Sequence, residues 1–545
     1  MRWRSCCGGA VFGLLFCGVF LWWNFFAEVP LKIGPETTVL TEPRTPDGKY
    51  IDYAAYFRGR YPAQMQTEKN AARELVRLLG DLNRSGDAEA KARIRKQLYQ
   101  GLGLDERLEP EFTLTHVREA FGNEEMDPTD PQLPRSDPAR AQAWVEENSP
   151  ALDAVTEVVQ KAEICYFPLL FWKEGDSLFW AIQEPQANVW LVGRDLIFRA
   201  NWRISQGDVE GAISDVLTCR KLGRMLRGNR LSAQELDWGL RMENEARRVP
   251  FAANPDAQPT AKQWQTLLDS FATTSCLEDC RTLLEEYELF AMLDLIQHDF
   301  LRKEKAELEW APFLKSCLGR NWNVVFERFR KHWEFETEFY FTRNVPAKVK
   351  RDTAYMTVPG LVRLATRYLR SDWTAMIIQT QILMSTDTHW AVSNAQQYDH
   401  REKLARIGCA VRLYQSEHGG QLPPAVTTDA TGKPLHTWRV LLLPYLGEKA
   451  LFDQIRLEEP WDSAWNRQFH AQIPDMFDAA EEPRPAPGST IWTWVADAKT
   501  GILISETETP HHWMEPDAPY EEPKSGGRWN ILTTDGGVWY QNPCE

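Results

Sequence analysis

The spacing of apolar residues changes period at Gly419–Pro424, and that change limits what the C-terminal part of this chain can fold into. Before it, EKLARIGCAVRLYQSEHGG carries Leu404, Ile407, Val411 and Tyr414 three or four residues apart, the spacing of one helix face. Gly419-Gly420 supplies a helix stop, and Pro423-Pro424 an extended exit. Beyond it the apolar runs are short and strand-like, TIWTWV at 490–495 and ILIS at 502–505, separated by Asp497–Gly501. Trp529–Thr533 and Val538–Gln541 flank Asp535-Gly536-Gly537, the composition of a tight hairpin. A helix followed by a small antiparallel sheet is predicted.

The helix leading to LPPA, then TWRVLLLPYL, EPWDSAWNR, ISETETPHHWMEP and the closing DGGVWY occur in fixed order over the last part of the chain. This set resembles the C-terminal pseudopilin-like domain of unknown function that is expanded in planctomycete bacteria. YIDYAAYFRGRYPAQMQTEKNAARELVRLLG and AWVEENSPALDAVTEVVQKAEICYFPLL are similar to the N-terminal region of planctomycete proteins of unknown function. The resemblance implies a fold and names no active site. One departure from pilins stands out: no prepilin peptidase motif precedes the first apolar run, so filament incorporation by that route is not expected.

That first run, Cys7 to Phe26, is free of charge and long enough, at about 30 Å as a helix, to cross a bilayer core. Arg2 and Arg4 precede it and Glu28 follows, which predicts a single-pass inner-membrane helix with a cytoplasmic N-terminus and a periplasmic bulk. A cleaved signal peptide is the competing reading, but FFAEVP lacks a small-x-small site, and Phe16 before Cys17 disfavours a lipoprotein site. Of the 10 Cys, those beyond the run are Cys165, Cys219, Cys276, Cys280, Cys317, Cys409 and Cys544, so at least one thiol stays unpaired in a monomer. The spacing of Cys276 and Cys280 is wrong for a CxxC redox motif, and most of these cysteines are expected as small buried hydrophobes.

Pro30–Asp47, rich in Pro, Thr and charge, reads as a spacer. Helices are predicted in Tyr50–Leu102, Ala139–Ala162, Glu235–Arg248, Ala261–Ser270, Leu277–Leu301 and Val358–Asn394, with a Pro- and Asp-rich linker at Met126–Pro138. Trp190–Leu226 reads as two helices broken at Gly207-Asp208, with Ala212, Val216, Cys219, Leu222 and Leu226 on one stripe. It resembles a tetratricopeptide-type hairpin without a second copy at a fixed period. The expected architecture is α+β and multidomain: anchor at 1–28, linker at 29–49, helical domain at 50–395, and pseudopilin-like α+β domain at 396–545.

A net charge of −15 argues against a general nucleic-acid binder. His511, His512, Glu506, Glu508 and Glu515 invite a metal reading, but adjacent strand histidines point to opposite faces, and a solvated loop is favoured. Asp462, Asp517 and Asp535 match no calcium loop and read as turn residues. His298, His332 and His389 lie in helical stretches, and the GxSxG, HExxH, P-loop and GxGxxG signatures are absent. Trp438 and Trp461 are candidate core anchors, or exposed contacts for a protein or glycan. No catalytic residue, metal ligand or cofactor is therefore assigned. The expected function is a non-catalytic, membrane-anchored envelope protein that contacts other envelope proteins. The alternative is an exported hydrolase or glycan-binding protein with a site between the two halves.

Overall fold

The computed structural model describes residues 30–81, 87–122, 127–173, 175–182, 184–254, 256–271, 275–301, most of 322–334, 388–478, 489–497, 501–517 and 529–541. In chain order the helices of the N-terminal body are α1 (Tyr53–Gly59), α2 (Ala71–Leu79), α3 (Ala88–Gly101), α4 (Val117–Phe121), α5 (Leu133–Ser136), α6 (Pro138–Lys161), α7 (Glu184–Ser205), α8 (Val209–Asn229), α9 (Ala233–Arg247), α10 (Ala261–Asp269), α11 (Cys276–Leu283) and α12 (Leu289–Ile296). Two π-helical turns, Leu284–Glu288 and Gln297–Leu301, follow α11 and α12.

The local sequence explains where several helices start and how they pack. Asp208 caps α8 by accepting a hydrogen bond from the Gly211 N–H, so the predicted break at Gly207-Asp208 becomes the α7–α8 turn. Thr260 and Gln263 form a reciprocal capping box at the start of α10. α8 and α9 cross at Gly223 and Gly239, where a Cβ on Gly223 would sit 2.7 Å from the Gly239 carbonyl. Any side chain at either position would push the two helices apart.

α13 (Thr388–Glu417) is a 30-residue helix, longer than the short one predicted from residue 402. It runs through the expected domain boundary at 396. Ala395, Tyr398, Cys409 and Leu413 pack into the core of the helical body, while Leu404, Ile407, Ala410 and Val411 pack into a second core. One helix thus has a face in each. The second core is built on β1 (Val426–Thr428), β2 (Pro434–Thr437), α14 (Trp438–Leu442), α15 (Lys449–Phe452), β3 (Ser489–Asp497), β4 (Ile502–His512), β5 (Trp529–Thr533) and β6 (Val538–Gln541). β1 and β2 pair with each other, and β3-β4-β5-β6 form an antiparallel meander in that order. Trp438, Trp492 and Trp513 are fully buried there. Each large aromatic removes about 150–250 Å² from water, so this trio contributes a substantial share of the unit's apolar burial.

Three expectations change. Among the described residues no helix is long and apolar enough to cross a membrane, and Cys7–Phe26 lies outside them. The architecture is corrected accordingly to a mainly helical body with C-terminal antiparallel sheets, with no membrane-spanning helix among the described residues. The segment read as a spacer instead lies against the body: Thr38 is buried, its carbonyl accepts from Tyr53 Oη at 2.8 Å, and Arg44 bridges to Ile51. Within the sheet, β4 extends to His512 and so takes in the histidines expected on a solvated loop. Residues 358–387 of the predicted helix Val358–Asn394 lie outside the described residues.

Candidate functional site

Three consecutive residues of α13 tie the helical body to the sheet. His400 Nδ1 lies 3.1 Å from Glu506 Oε1 on β4. Arg401 Nε donates to Asn530 Oδ1 on β5 at 2.8 Å, and its Nη1 donates to Asn244 Oδ1 on α9 at 3.1 Å. Glu402 accepts from Arg220 on α8 at 3.3 Å and pairs with Arg247 on α9. Asn530, itself fully buried, donates through Nδ2 to Glu506 Oε1 at 2.8 Å and to Gln397 Oε1 at 3.0 Å. All three α13 side chains are buried. Beneath them Glu243, also fully buried, lies 3.3 Å from Arg227, and Arg227 Nε reaches Asp279 at 3.0 Å. Burial drives the Arg220 guanidinium down to about 10, with Glu402 opposing. A buried charge of this kind persists only where partners surround it.

Arg439 organises the second polar centre. Its guanidinium is fully buried and donates to the carbonyls of Trp513, Trp492 and Glu515 at 2.7, 2.8 and 2.8 Å, and it pairs with Asp517 at 2.6 Å. Asp517 also accepts from Trp438 Nε1 and from the Trp494 N–H, both at 2.9 Å, and lies 3.0 Å from His511 Nε2. Burial pushes the Asp517 carboxyl up, but Arg439, His511 and the Trp494 N–H outweigh it, and it ends well below the usual carboxylate range. The sequence reading of Asp517 as a turn residue is corrected: it is the counter-charge of a buried arginine. His512 lies against His470, ring centroids 4.3 Å apart with the planes tilted by 51°, and takes the Met514 N–H on Nδ1. Burial and the neighbouring His470 lower it to about 4, so it is neutral across physiological pH.

The remaining candidates separate. Asp535 Oδ1 accepts from Thr533 Oγ1 and the Gly537 N–H, as a turn residue does. Asp462 is exposed and 3.9 Å from Arg467, Glu515 is exposed, and His298 is buried in the π turn after α12. The side chains of Glu508, His332 and His389 lie outside the described residues. Trp438 is fully buried, and Trp461 is half-buried against His470. Among the described residues no three His, Cys, Asp or Glu side chains converge as they would around a metal ion. Cys165, Cys219, Cys276, Cys280 and Cys409 are free and buried. A cavity of about 400 Å³ is lined by Leu31, Ile33, Arg44, Lys49, Tyr50 and Trp322, and none of the sequence candidates lines it.

Sequence reasoning missed His400, Arg401 and Arg439. The first two look like a charged, solvated helix face, and no local signal separates them from one. Arg439 lies within an apolar run, TWRVLLLPYL, and a lone charge there is the signal that was available.

Residues 401–477 match a family model described as a protein of unknown function (DUF1559). That span begins at Arg401 and holds Glu402, Arg439 and the turn-rich stretch up to Phe477. No curated protein and no solved structure matches the chain.

Proposed function

We propose that this chain is a non-catalytic interaction protein in which the helical body holds a C-terminal pseudopilin-like unit in one orientation and presents it to partner proteins. The observation that carries this reading is the engagement of the imidazoles and carboxylates suited to chemistry. His400–Glu506, His511–Asp517 and His116–Asp195, the last at 2.6 Å, are all buried or half-buried ties within the fold. Arg401, Glu402 and Asn530 fill the seam between the two halves, where a hydrolase or glycan site would need room. The order of a long helix followed by an antiparallel meander supports the pseudopilin-like reading of the unit.

Two measurements test the proposal together. An amine-reactive crosslinker applied to cells should join defined partner proteins to the exposed Lys433 or Lys449 of the C-terminal unit. The purified chain should release no product from p-nitrophenyl esters, glycosides or phosphates above the buffer rate. Turnover that disappears in His400→Ala or His116→Ala would overturn the reading in favour of an enzyme.

A further inference from the structure

Trp465 is 42% exposed, one of three large apolar side chains left in solvent among the described residues, yet its position is fixed. Its Nε1–H donates to the Gln454 carbonyl at 3.0 Å, and the Arg456 guanidinium lies 4.0 Å from the ring centroid. The loop that carries it, Arg456–Asn466, is closed by one buried side chain. Asn466 Oδ1 accepts from the Arg456 N–H at 3.0 Å, and Nδ2 donates to the carbonyls of Arg456, Glu459 and Pro460 at 3.0, 3.3 and 3.0 Å. Such a loop is pre-organised, and binding to it requires little further ordering.

The stretch of chain that carries the indole has an excess of acid. Between residues 448 and 467 the bases are Lys449, Arg456 and Arg467, and each already lies against a carboxylate, of Asp453, Glu459 and Asp462 respectively. Glu448 and Glu458 remain without a paired cation among the described residues, and Glu458 is exposed on the same loop as Trp465. Arg456 over the ring demonstrates that this indole takes a cation on its π face. The ring is still 42% exposed, and the unpaired Glu458 is exposed on the same loop.

We propose that the Arg456–Asn466 loop docks a basic segment of a partner polypeptide, with a lysine or arginine side chain seated on the exposed ring of Trp465 and countered by Glu458. This rests on the interaction-protein reading above and names the surface and the partner chemistry for it.

The test uses the full chain and a fluorescein-labelled peptide, Gly-Arg-Lys-Arg-Gly, against its Gly-Glu-Glu-Glu-Gly counterpart, read by anisotropy. The basic peptide should bind and the acidic one should not. Trp465→Ala should weaken binding at least tenfold, Glu458→Gln about threefold, and Trp465→Phe should recover part of the loss. Trp180→Ala, at a comparably exposed indole elsewhere, should leave it unchanged. An unaltered melting curve for Trp465→Phe keeps the series interpretable if the alanine variant misfolds. Equal binding by wild type and both Trp465 variants would overturn the proposal, because the net charge of −15 alone would then account for the attraction. Binding of chitotriose in place of the peptide would overturn it as well. Partner crosslinks without peptide binding would remove this surface and leave the interaction-protein reading standing; turnover with intact peptide binding would do the reverse.

Discussion

Arg401 Nε donates to Asn530 Oδ1 at 2.8 Å across 129 residues of sequence, joining α13 to β5, an inner strand of the sheet. Both groups are buried, and the same guanidinium reaches Asn244 on α9. Replacing Arg401 by Met keeps most of the volume and leaves two buried amide oxygens without that donor, at about 1–3 kcal/mol each. Arg401→Met should therefore lower the denaturation midpoint clearly, while Arg467→Met, on the surface, should not. Equal midpoints for the two variants would show that the seam does not depend on this tie.

How far the fold was legible follows from which residues speak locally. Gly207-Asp208 and Asp535-Gly536-Gly537 fix turns through their own backbone preferences, and both turns are where the sequence puts them. The polar seam was hidden because burial of His400, Arg401 and Glu402 depends on Asn530, Glu506, Arg220 and Arg247, all remote in sequence. Asp517 was misread for the same reason, since its meaning comes from Arg439. Helical periodicity reports a face and not what covers it, so α13 could be found but its double allegiance could not.

The closing hairpin gives a contrast between backbone and side chain. Gly536 has φ +90°, and its turn docks on the helical body through the Ala252 N–H, which donates to the Asp535 carbonyl at 2.9 Å. Gly536→Val forces a β-branched residue into that region, a strain of about 1–3 kcal/mol. Asp535→Asn retains the acceptor for Gly537 and should stay within about 1 kcal/mol. Thermal melts of both variants with and without chelator decide the matter: a chelator effect in the wild type that vanishes in Asp535→Asn would make Asp535 an ion ligand instead.

Removing the helical body should weaken the C-terminal unit. A fragment 388–545 loses the Arg220, Arg247 and Asn244 partners and uncovers Cys409 and Leu413, which pack into the other core. The fragment should retain strand signal by circular dichroism but melt below the corresponding transition in the full chain. A loss of about 2 kcal/mol corresponds to a drop of about 4–8 °C for a unit of this size. An identical midpoint would mean that the seam adds no stability.

A single buried carboxyl predicts the sign of one pH effect. Glu235 on α9 is fully buried, with Oε1 accepting from Asn229 Nδ2 at 2.9 Å and Oε2 without a hydrogen-bond partner among the described residues. Burial raises its pKa from 4.5 to about 8, against the opposing bonds from Asn229 and the Leu231 N–H. Between those values the folded state holds a proton that the unfolded chain releases. The contribution of Glu235 is therefore fully present below pH 4.5 and is lost as pH rises toward 8. Each unit in that window costs about 1.4 kcal/mol for this one group. Glu235→Gln keeps the acceptor for Asn229 and cannot ionise, so it should match the wild type near pH 5 and exceed it at pH 8. Urea midpoints at the two pH values measure the difference, and a variant no more stable than wild type at pH 8 would show that Glu235 is not held protonated in the folded protein.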